Sequence, residues 1–327
     1  MSSLKLCLSF FLQLIFTLFV FDLANAQGLK VGFYEETCPQ AEAVVKKTIV
    51  PVIAEAPSLA APLLRMHFHD CFVRGCDGSV LLNSSTHQAE KDAIPNQSLR
   101  GFEVIDRVKT ALEKACPGVV SCADILALVA RDVVTAIKGP SWQVETGRRD
   151  GRVSNISEAL ANLLSPFANI TQLKAGFQQR GLSAKDLVVL SGGHTIGISH
   201  CFSFAPRLYN FTGKGDTDPS LDPNYIARLK VKCPPGAVAP IVEMDPGSAK
   251  IFDDDYYTMV SKRRGLFHSD ASLLDDSETK AYVINHASTL GSASFFEDFG
   301  VSMVNMGRVA VLTGKAGEIR KQCALVN

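Results

Sequence analysis

Apolar residues recur along most of the chain with the three- and four-residue spacing of amphipathic or buried α-helices. This spacing predicts helices over 40–55, 58–72, 101–116, 121–138, 171–180, 183–190, 256–264, 277–290 and 294–306. Ser121 and Ser183 precede two of these segments as N-cap residues, and Asp186 completes a capping box with Ser183. Long alternating β-branched runs are absent from the sequence. The pattern therefore predicts a mostly α protein with two helical lobes and a site between them.

Composition and the amino-terminal segment bear on the location of the protein. The 327 residues are 46% hydrophobic, and 33 Lys+Arg balance 33 Asp+Glu, so charge gives no reason to expect nucleic acid or an acidic membrane as partner. After Lys5, residues 6–21 are almost wholly apolar, and 24–26 read Ala-Asn-Ala, a cleavage signal. We predict a signal peptide over 1–26 and a secreted mature chain from Gln27. The alternative is a membrane anchor, for which the apolar run is short.

Cysteine and asparagine positions agree with secretion. Of nine cysteines, Cys7 lies in the predicted signal peptide, and the even number that remains predicts disulfide bonds without fixing their pairing. The spacings are irregular and no C-x-x-C occurs, which makes a cysteine zinc site a weak alternative. Asn-x-Ser/Thr sequons, which are candidate glycan sites in a secreted chain, begin at Asn83, Asn96, Asn155, Asn169 and Asn210.

The segment LRMHFHDC, 64–71, contains two histidines separated by one residue. On a strand, His67 and His69 would share a face and could ligate zinc, as in a hydratase or hydrolase. On a helix they would diverge, and Arg65 would meet His69 instead. The helix-favouring residues at 59–64 support the helix. The Arg65 cation would then keep the His69 imidazole neutral, so that it can act as a base, and His67 would make a structural hydrogen bond. Such an Arg–His pair can also lie on the solvent-exposed face of an ordinary helix.

A second histidine stands in DLVVLSGGHTIG, 186–197, where an apolar helix runs into a glycine pair. Gly192 and Gly193 remove side-chain bulk beside His194, which would let a large planar ligand approach closely. A histidine in this context can equally be structural. The G-x-S-x-G motif of a serine hydrolase is missing here.

These two segments, with ACPGVVSCADILALVARD (115–132) and GEIRKQC (317–323), closely resemble the secreted class III plant haem peroxidases over 32–327. The resemblance implies a mostly α, two-lobed haem peroxidase fold over 27–327. One haem b would lie between a distal half, about 27–165, and a proximal half, about 166–327. The implied enzyme reduces hydrogen peroxide and oxidises small phenolic donors by two one-electron steps, as in lignification, wall cross-linking, auxin oxidation or stress responses. We expect a monomer in the apoplast or cell wall, with the vacuole as alternative, and no membrane or nucleic-acid partner for the mature form.

The resemblance also implies roles for the residues on the distal side. His69 would take a proton from hydrogen peroxide and return it to the leaving oxygen, while Arg65 stabilises the leaving hydroxide. Asn96 would orient His69, so its sequon should stay without a glycan. Phe68 would cover the haem face.

On the proximal side the implied haem-iron ligand is His194, with Asp270 of GLFHSD (265–270) accepting a hydrogen bond from its other ring nitrogen. The donor phenol would rest at the backbone of Leu164, with Phe167 at the channel mouth. The chain departs from the family at two places. It has NLLSP at 162–166 where N-L-P-x-P is frequent, and Met244 stands where some members carry an aromatic ring.

Two calcium sites follow from the resemblance, and oxygen ligands suit this hard cation. The first would use Asp70, Asp77, Ser79, the carbonyls of Val73 and Gly75, and a water link to Glu90. The second would use Thr195, Asp245, Ser248, Asp253 and the carbonyl of Ile251. Each set includes the residue after one of the two histidines, so calcium would hold both segments in place. Taken alone, these acidic turns could be solvated loops.

Family connectivity, finally, implies the disulfides Cys38–Cys116, Cys71–Cys76, Cys122–Cys323 and Cys201–Cys233. Asp124 and Arg148 resemble a buried ion pair that joins the two halves.

Overall fold

The computed structural model describes residues 28–237, 239–288 and 292–327. The expected mostly helical fold is confirmed. The predicted signal peptide, 1–26, lies outside the described residues. In chain order the helices are α1 Ala41–Glu55, α2 Ala60–Val73, α3 Phe102–Ala115, α4 Cys122–Ala136, α5 Ile156–Asn162, α6 Ile170–Gln178, α7 Ala184–Ser191, α8 Ala205–Tyr209, α9 Pro223–Lys232, α10 Asp255–Ser261, α11 His268–Ser272, α12 Ser277–His286 and α13 Ser292–Gly307.

Every helix that the apolar spacing predicts is present, with ends displaced by a few residues. Ser121 and Ser183 cap α4 and α7 as expected, each accepting a hydrogen bond from a backbone N–H three residues on. The start predicted for α2 at Ser58 is wrong. A single 3₁₀ turn, Pro57–Leu59, precedes it, and α2 begins at Ala60. Pro62 then falls in the first helical turn, where its missing N–H costs no intrahelical hydrogen bond.

The short helices α5, α8, α9 and α11 were not predicted. All but α9 span at most seven residues, which is too few for a helical period to stand out. The ten-residue α9 carries local signals that could have revealed it. Asp222 caps its N-terminus, Pro223 occupies the first turn, and Lys230 and Lys232 lie in the last.

Among the described residues, the strands form one two-stranded antiparallel sheet of β1 Ile198–His200 and β2 Ile241–Glu243. Two further hydrogen bonds extend this connection. Gly197 N–H donates to the Ala249 carbonyl at 2.8 Å, and Met244 N–H donates to the Gly197 carbonyl at 3.0 Å. The sheet therefore holds the chain just after His194 against the acidic segment that follows β2.

The main hydrophobic core surrounds α4, whose residues are buried from Cys122 through Val134. This helix packs against α1, α2 and α3, so α2 lies against the centre of the molecule. A smaller core lies under α8, α9 and β2. Among the described residues no single helix has the length and hydropathy of a membrane span. One bent pair, Ala41–Glu55 with Pro57–Val73, meets that test only jointly, across a 118° bend.

The eight described cysteines form four disulfide bonds, and their pairing is the one that the resemblance implies. The bridges are Cys38–Cys116, Cys71–Cys76, Cys122–Cys323 and Cys201–Cys233. Cys122–Cys323 joins the start of α4 to the carboxyl-terminal segment, across 201 positions of sequence.

Candidate active site

The two histidines of the first motif both lie on α2, where they face different directions. His67 and His69 are both buried, but they have different neighbours. We predicted a structural hydrogen bond for His67, and its ring nitrogen Nδ1 lies 3.7 Å from Cys71 Sγ, a weak contact to sulfur. Burial and the nearby Arg148 cation lower the pKa of His67 to about 3. The paired zinc-ligand interpretation is therefore not supported, since residues two apart on a helix face different directions.

Arg65, His69 and Asn96 form a hydrogen-bonded set. Arg65 Nε donates to His69 Nε2 at 3.0 Å, and the Nδ1 on the other side of the ring contacts Asn96 Oδ1. Because a guanidinium can only donate, Nε2 must carry the lone pair and Nδ1 the proton. Burial, followed by the charge of Arg65, holds the pKa of His69 well below its ordinary value. His69 is therefore a neutral imidazole whose basic nitrogen is Nε2.

A second hydrogen bond orients the side-chain amide of Asn96. Its Nδ2 donates to the Glu90 carbonyl at 2.7 Å, which leaves Oδ1 to face His69. Asn96 is 1% exposed, which agrees with the expectation that its sequon carries no glycan.

The sequence did not indicate what holds Arg65. Its Nη1 donates to Ser98 Oγ at 2.9 Å, and its Nη2 donates to the Pro95 carbonyl at 2.6 Å. The turn that carries Asn96 therefore positions Arg65 as well, so the cation and the tautomer-setting amide share one support. Phe68 is half-buried on the same helix, edge-on to the His69 ring at 5.6 Å.

His194 lies in a 3₁₀ turn, Gly192–Thr195, that follows α7. Its Nδ1 is 2.8 Å from Asp270 Oδ1, and the carboxylate also accepts from Tyr256 Oη at 3.0 Å and from the Phe267 N–H at 2.8 Å. Burial would raise the pKa of Asp270, but His194 and these hydrogen bonds hold it below its ordinary value. Asp270 is therefore an ionised acceptor, and Nε2 of His194 is the ring nitrogen left for a metal. The contribution of Tyr256 was not predicted.

The two glycines before His194 have different environments. A Cβ at Gly192 would lie 2.6 Å from Tyr257 Oη, so protein already occupies that space. A Cβ at Gly193 would make only ordinary contacts, 3.7 Å from Leu64 Cδ2 being the shortest. Gly197 approaches α2 more closely, because a Cβ there would lie 2.8 Å from that of Ala61. The loop that carries His194 thus packs directly against the helix that carries Arg65 and His69.

A buried acidic cluster lies at the end of α2, among the residues predicted for the first calcium ion. Asp70 accepts from the backbone N–H groups of Gly78 and Val80, at 2.9 and 3.4 Å. Burial and the Asp77 carboxylate raise the pKa of Asp70 well above its ordinary value. Burial, followed by Asp70, raises the pKa of Glu90 to about 9. Both Glu90 oxygens and Ser79 Oγ are buried without a hydrogen-bond partner. Buried oxygens without hydrogen-bond partners, beside clustered carboxylates, are suited to bind a cation.

Val73 and Gly75, whose carbonyls complete the predicted set, stand in the turn closed by Cys71–Cys76. Gly75 has φ +94°, and a Cβ there would lie 2.6 Å from the Ala310 carbonyl oxygen. A side chain is therefore excluded on two grounds, conformation and space.

A second acidic cluster lies after β2. Potential ligand atoms of Asp245, Asp253 and Asp255 are all within 4.8 Å of one another. Burial, followed by Asp253, raises the pKa of Asp245 to about 7. Asp245 Oδ2 and Ser248 Oγ are buried without a hydrogen-bond partner. Thr195 Oγ1 donates to Asp253 Oδ1 at 2.5 Å, which joins the cluster to the residue after His194.

The remaining member of the predicted second set is Ile251, whose N–H donates to the Ser248 carbonyl at 2.7 Å. This turn brings Ile251 to the cluster. Asp255 was not predicted, although the run of three aspartates at 253–255 could have suggested it.

The loop predicted to receive the donor is restrained at both ends. Arg180 Nη2 donates to the Asn162 carbonyl at 2.9 Å, and Ser269 N–H donates to the Pro166 carbonyl at 3.0 Å. Leu164 packs onto α6, where a Cβ at Gly176 would lie 2.5 Å from its Cδ2. These contacts fix the backbone at 164 without the proline of the family pattern. Phe167 is 45% exposed.

Comparison with known proteins agrees with this geometry. A sequence model of the family described as Peroxidase matches residues 45–289. The chain is 64% identical to Peroxidase 27 of Arabidopsis thaliana over 313 residues, which cover 96% of this chain and 97% of that protein. It is 60% identical to Peroxidase 56 of Arabidopsis thaliana over 330 residues, which cover both chains fully. Identity to Peroxidase 1 of Oryza sativa subsp. japonica is 58% over 310 residues, 93% of this chain and 95% of that protein.

The chain therefore belongs to the peroxidase family, in its class III plant branch, and is a haem peroxidase that uses hydrogen peroxide. Haem is implied by this family, and the residues present fit it. His194 is half-buried, with 39% of its side chain exposed, and its Nδ1 is held by a buried carboxylate. An imidazole with one nitrogen oriented by a carboxylate is a characteristic iron ligand.

Proposed function

We propose that this chain is a secreted haem peroxidase that oxidises small phenolic donors in two one-electron steps. The observation that supports it most is the contrast between its two hydrogen-bonded histidines. His69 is a neutral base beside the Arg65 guanidinium. His194 is hydrogen-bonded to the ionised Asp270 carboxylate, which makes its free nitrogen electron-rich. One ring is suited to moving a proton and the other to holding iron.

His194 would hold haem through Nε2, and haem would supply the redox chemistry. On the other side, peroxide replaces Arg65 Nε as the partner of His69 Nε2. His69 then takes a proton from one peroxide oxygen and delivers it to the other as the O–O bond breaks. Arg65 stabilises the charge that develops on the departing oxygen, and Asn96 keeps the His69 proton on Nδ1 throughout.

The donor phenol would rest at the restrained backbone of Leu164 and deliver one electron and one proton per step. Two phenols and one peroxide yield two phenoxyl radicals and two waters. Phe68 would cover the haem face. The physiological setting we propose is the cell wall, through lignification, cross-linking or phenol and auxin oxidation, for a monomeric chain exported by residues 1–26.

We further propose that two calcium ions occupy the two acidic clusters. The first cluster contains Asp70, Asp77, Ser79 and Glu90, and the second contains Thr195, Asp245, Ser248, Asp253 and Asp255. Asp70 directly follows His69, and the Glu90 carbonyl holds the Asn96 amide, so the first ion would support the distal base from two directions. Thr195 directly follows His194 and hydrogen-bonds Asp253, so the second ion would support the proximal histidine.

Removal of calcium is expected to destabilise the protein more at alkaline than at acidic pH. In the calcium-free protein burial raises the pKa of Glu90 from 4.5 to about 9. Above pH 4.5 the folded state therefore binds more protons than the unfolded state, and stability falls as the pH rises towards 9. Bound calcium prevents this loss, because the cation favours ionised carboxylates.

Thermal unfolding of calcium-loaded and calcium-free protein at about pH 5 and about pH 8 measures the effect. The gap between the two forms should be wider at the higher pH. In Glu90→Gln, which has no carboxyl to ionise, the calcium-free protein should lose less stability on going to the higher pH. Equal gaps at both pH values would contradict a cation at Glu90.

The proposed function is tested on the mature chain refolded with haemin and calcium. We expect a Soret band and oxidation of guaiacol that depends on hydrogen peroxide, followed by a donor panel of monolignols, flavonoids, auxin-like molecules and tyrosine. Folded, calcium-loaded protein that binds no haem would overturn the site assignment. A protein that consumes peroxide but oxidises no phenol would overturn the donor class alone.

A further inference from the structure

Tyr256, Tyr257 and Tyr282, three of the six tyrosines of the chain, form a continuous file that starts at the His194–Asp270 pair. The Tyr256 ring centroid is 6.0 Å from that of His194, and its hydroxyl donates to Asp270. The Tyr257 ring follows at 5.3 Å from Tyr256, and the Tyr282 ring at 5.5 Å from Tyr257. All three ring pairs are edge-on. Each aromatic ring therefore contacts the next in the series that runs from His194 to Tyr282.

The file ends at the protein surface. Tyr256 and Tyr257 are buried, whereas Tyr282 is partly exposed on α12. Its hydroxyl donates to Asp298 Oδ2 at 2.9 Å, and Lys185 Nζ lies 2.6 Å from the other oxygen of that carboxylate. The Asp298 and Lys185 side chains are 21% and 56% exposed. Tyr282 is therefore partly exposed, contacts Tyr257 and stacks on the His286 ring at 3.9 Å.

Proton acceptors stand at both ends of the file. Oxidation of a phenol removes an electron and makes its hydroxyl proton strongly acidic, so a hydrogen-bonded carboxylate is the natural acceptor. Tyr282 has Asp298 in this position, and Tyr256 has Asp270. The Tyr257 hydroxyl donates to the Val188 carbonyl at 3.1 Å, which cannot take the proton. Tyr257 is thus suited to pass electrons between its neighbours rather than to remain oxidised.

We propose that Tyr282 is a second, surface oxidation site for phenols carried on macromolecules too large to reach the donor site at Leu164, with electrons passing through Tyr257 and Tyr256 to the haem side. This inference rests on the proposed function, because it requires haem at His194. It differs in the donor, which never approaches Leu164. The three tyrosines supply an electron route that does not pass through the donor site at Leu164.

The electron and proton changes balance. After reaction with peroxide, the oxidised enzyme takes one electron from Tyr282, whose hydroxyl proton moves to Asp298, leaving a neutral phenoxyl radical. A phenol on the macromolecule then gives one electron and its proton to the Tyr282 radical. The Tyr282 hydroxyl is restored, Asp298 releases the proton that it had accepted, and the donor becomes a phenoxyl radical. Two such events return the enzyme to its resting state, and the two released protons are taken up as each peroxide is reduced to two waters.

The test compares the same phenol in two sizes, tyramine and tyramine coupled to dextran. In Tyr282→Phe the rate with tyramine-dextran should fall to a small fraction of wild type, while the rate with free tyramine is unchanged. Asp298→Asn, which keeps the tyrosine but removes the proton acceptor, should show a smaller loss with the same selectivity. Tyr209→Phe is the matched control, since Tyr209 is half-buried, makes one hydroxyl hydrogen bond and lies outside the file.

A second measurement does not depend on turnover. Wild-type enzyme treated with peroxide and a nitroso spin trap, without donor, should carry the adduct on Tyr282 in peptide mass mapping. The adduct should disappear from that peptide in Tyr282→Phe and persist in Tyr209→Phe. An unmodified Tyr282, or equal tyramine-dextran rates in wild type and Tyr282→Phe, would overturn the inference. If free tyramine is not oxidised either, the proposed function fails instead.

Discussion

Replacement of His69 by alanine is expected to slow the reaction with hydrogen peroxide by about 10²–10⁴-fold, the contribution of a positioned general base. The variant loses the lone pair at Nε2 that accepts the peroxide proton. Asn96 and Arg65 keep their supports at the Glu90 carbonyl, Ser98 and Pro95, so the loss should be confined to proton transfer. Stopped-flow absorbance in the Soret region measures the step directly. Haem content should be unchanged, because the proposed iron ligand is His194.

His67→Ala is the control for this prediction. It removes a buried imidazole from the same helix, but one that contacts Cys71 rather than Arg65. Its peroxide rate should stay near wild type. The pH profile gives an independent check. Since the pKa of His69 lies well below its ordinary value, the wild-type peroxide rate should stay constant down to acidic pH and fall only when His69 is protonated. His69→Ala should not show this fall. Fast peroxide reaction in His69→Ala would refute the assigned role.

Asp124→Asn is expected to destabilise the protein by about 3–5 kcal/mol, the cost of leaving a buried charge without its partner. Arg148 Nη1 lies 2.8 Å from Asp124 Oδ1, and their side chains are 2% and 0% exposed. The carboxylate also accepts from Tyr34 Oη and the Gly147 N–H, each at 2.7 Å. Arg148 in turn donates to the Gly307 carbonyl at the end of α13. The pair thus ties α4 to three distant segments.

Glu145→Gln provides the matched comparison, since it makes the same carboxylate-to-amide change in an exposed pair. Arg308 donates twice to the Glu145 carboxylate at 2.7 Å, but its side chain is 54% exposed. Solvent screens such a pair, so we expect a loss of about 0–1 kcal/mol. Chemical denaturation at fixed calcium concentration measures both variants. Equal losses would show that burial does not set the strength of the Asp124–Arg148 pair.

The long helices were predictable because their signals are local. An apolar stripe repeats within each segment, and residues such as Ser121 and Ser183 satisfy the first backbone donors from a few positions away. The start of α2 was misplaced because Pro57 begins a separate 3₁₀ turn, and two overlapping N-terminal signals cannot be resolved by spacing alone. Short helices such as α8 and α11 escaped because one helical turn has no period to detect.

The site was predictable only in part. Arg65 and His69 are four positions apart on a helix, so their contact follows from helix geometry. Asn96 and Asp270 were named through the family resemblance, and their contacts span 27 and 76 positions. Neither the support of Arg65 by Ser98 nor the hydrogen bond from Tyr256 to Asp270 leaves a local signal.

The amino-acid sequence by itself determined the helical class and the base-and-cation pair on α2, because each depends on neighbours within a few turns of chain. The acidic residues proposed to bind cations were named through the family resemblance. Only the tertiary structure decided which ring nitrogen of each site histidine carries the proton. The tautomer of His69 depends on Asn96, whose amide is turned by the Glu90 carbonyl. The tyrosine file likewise exists only where α10 and α12 pack together. Such contacts join residues far apart in the chain, and their geometry is set by how whole helices pack, which no local pattern encodes.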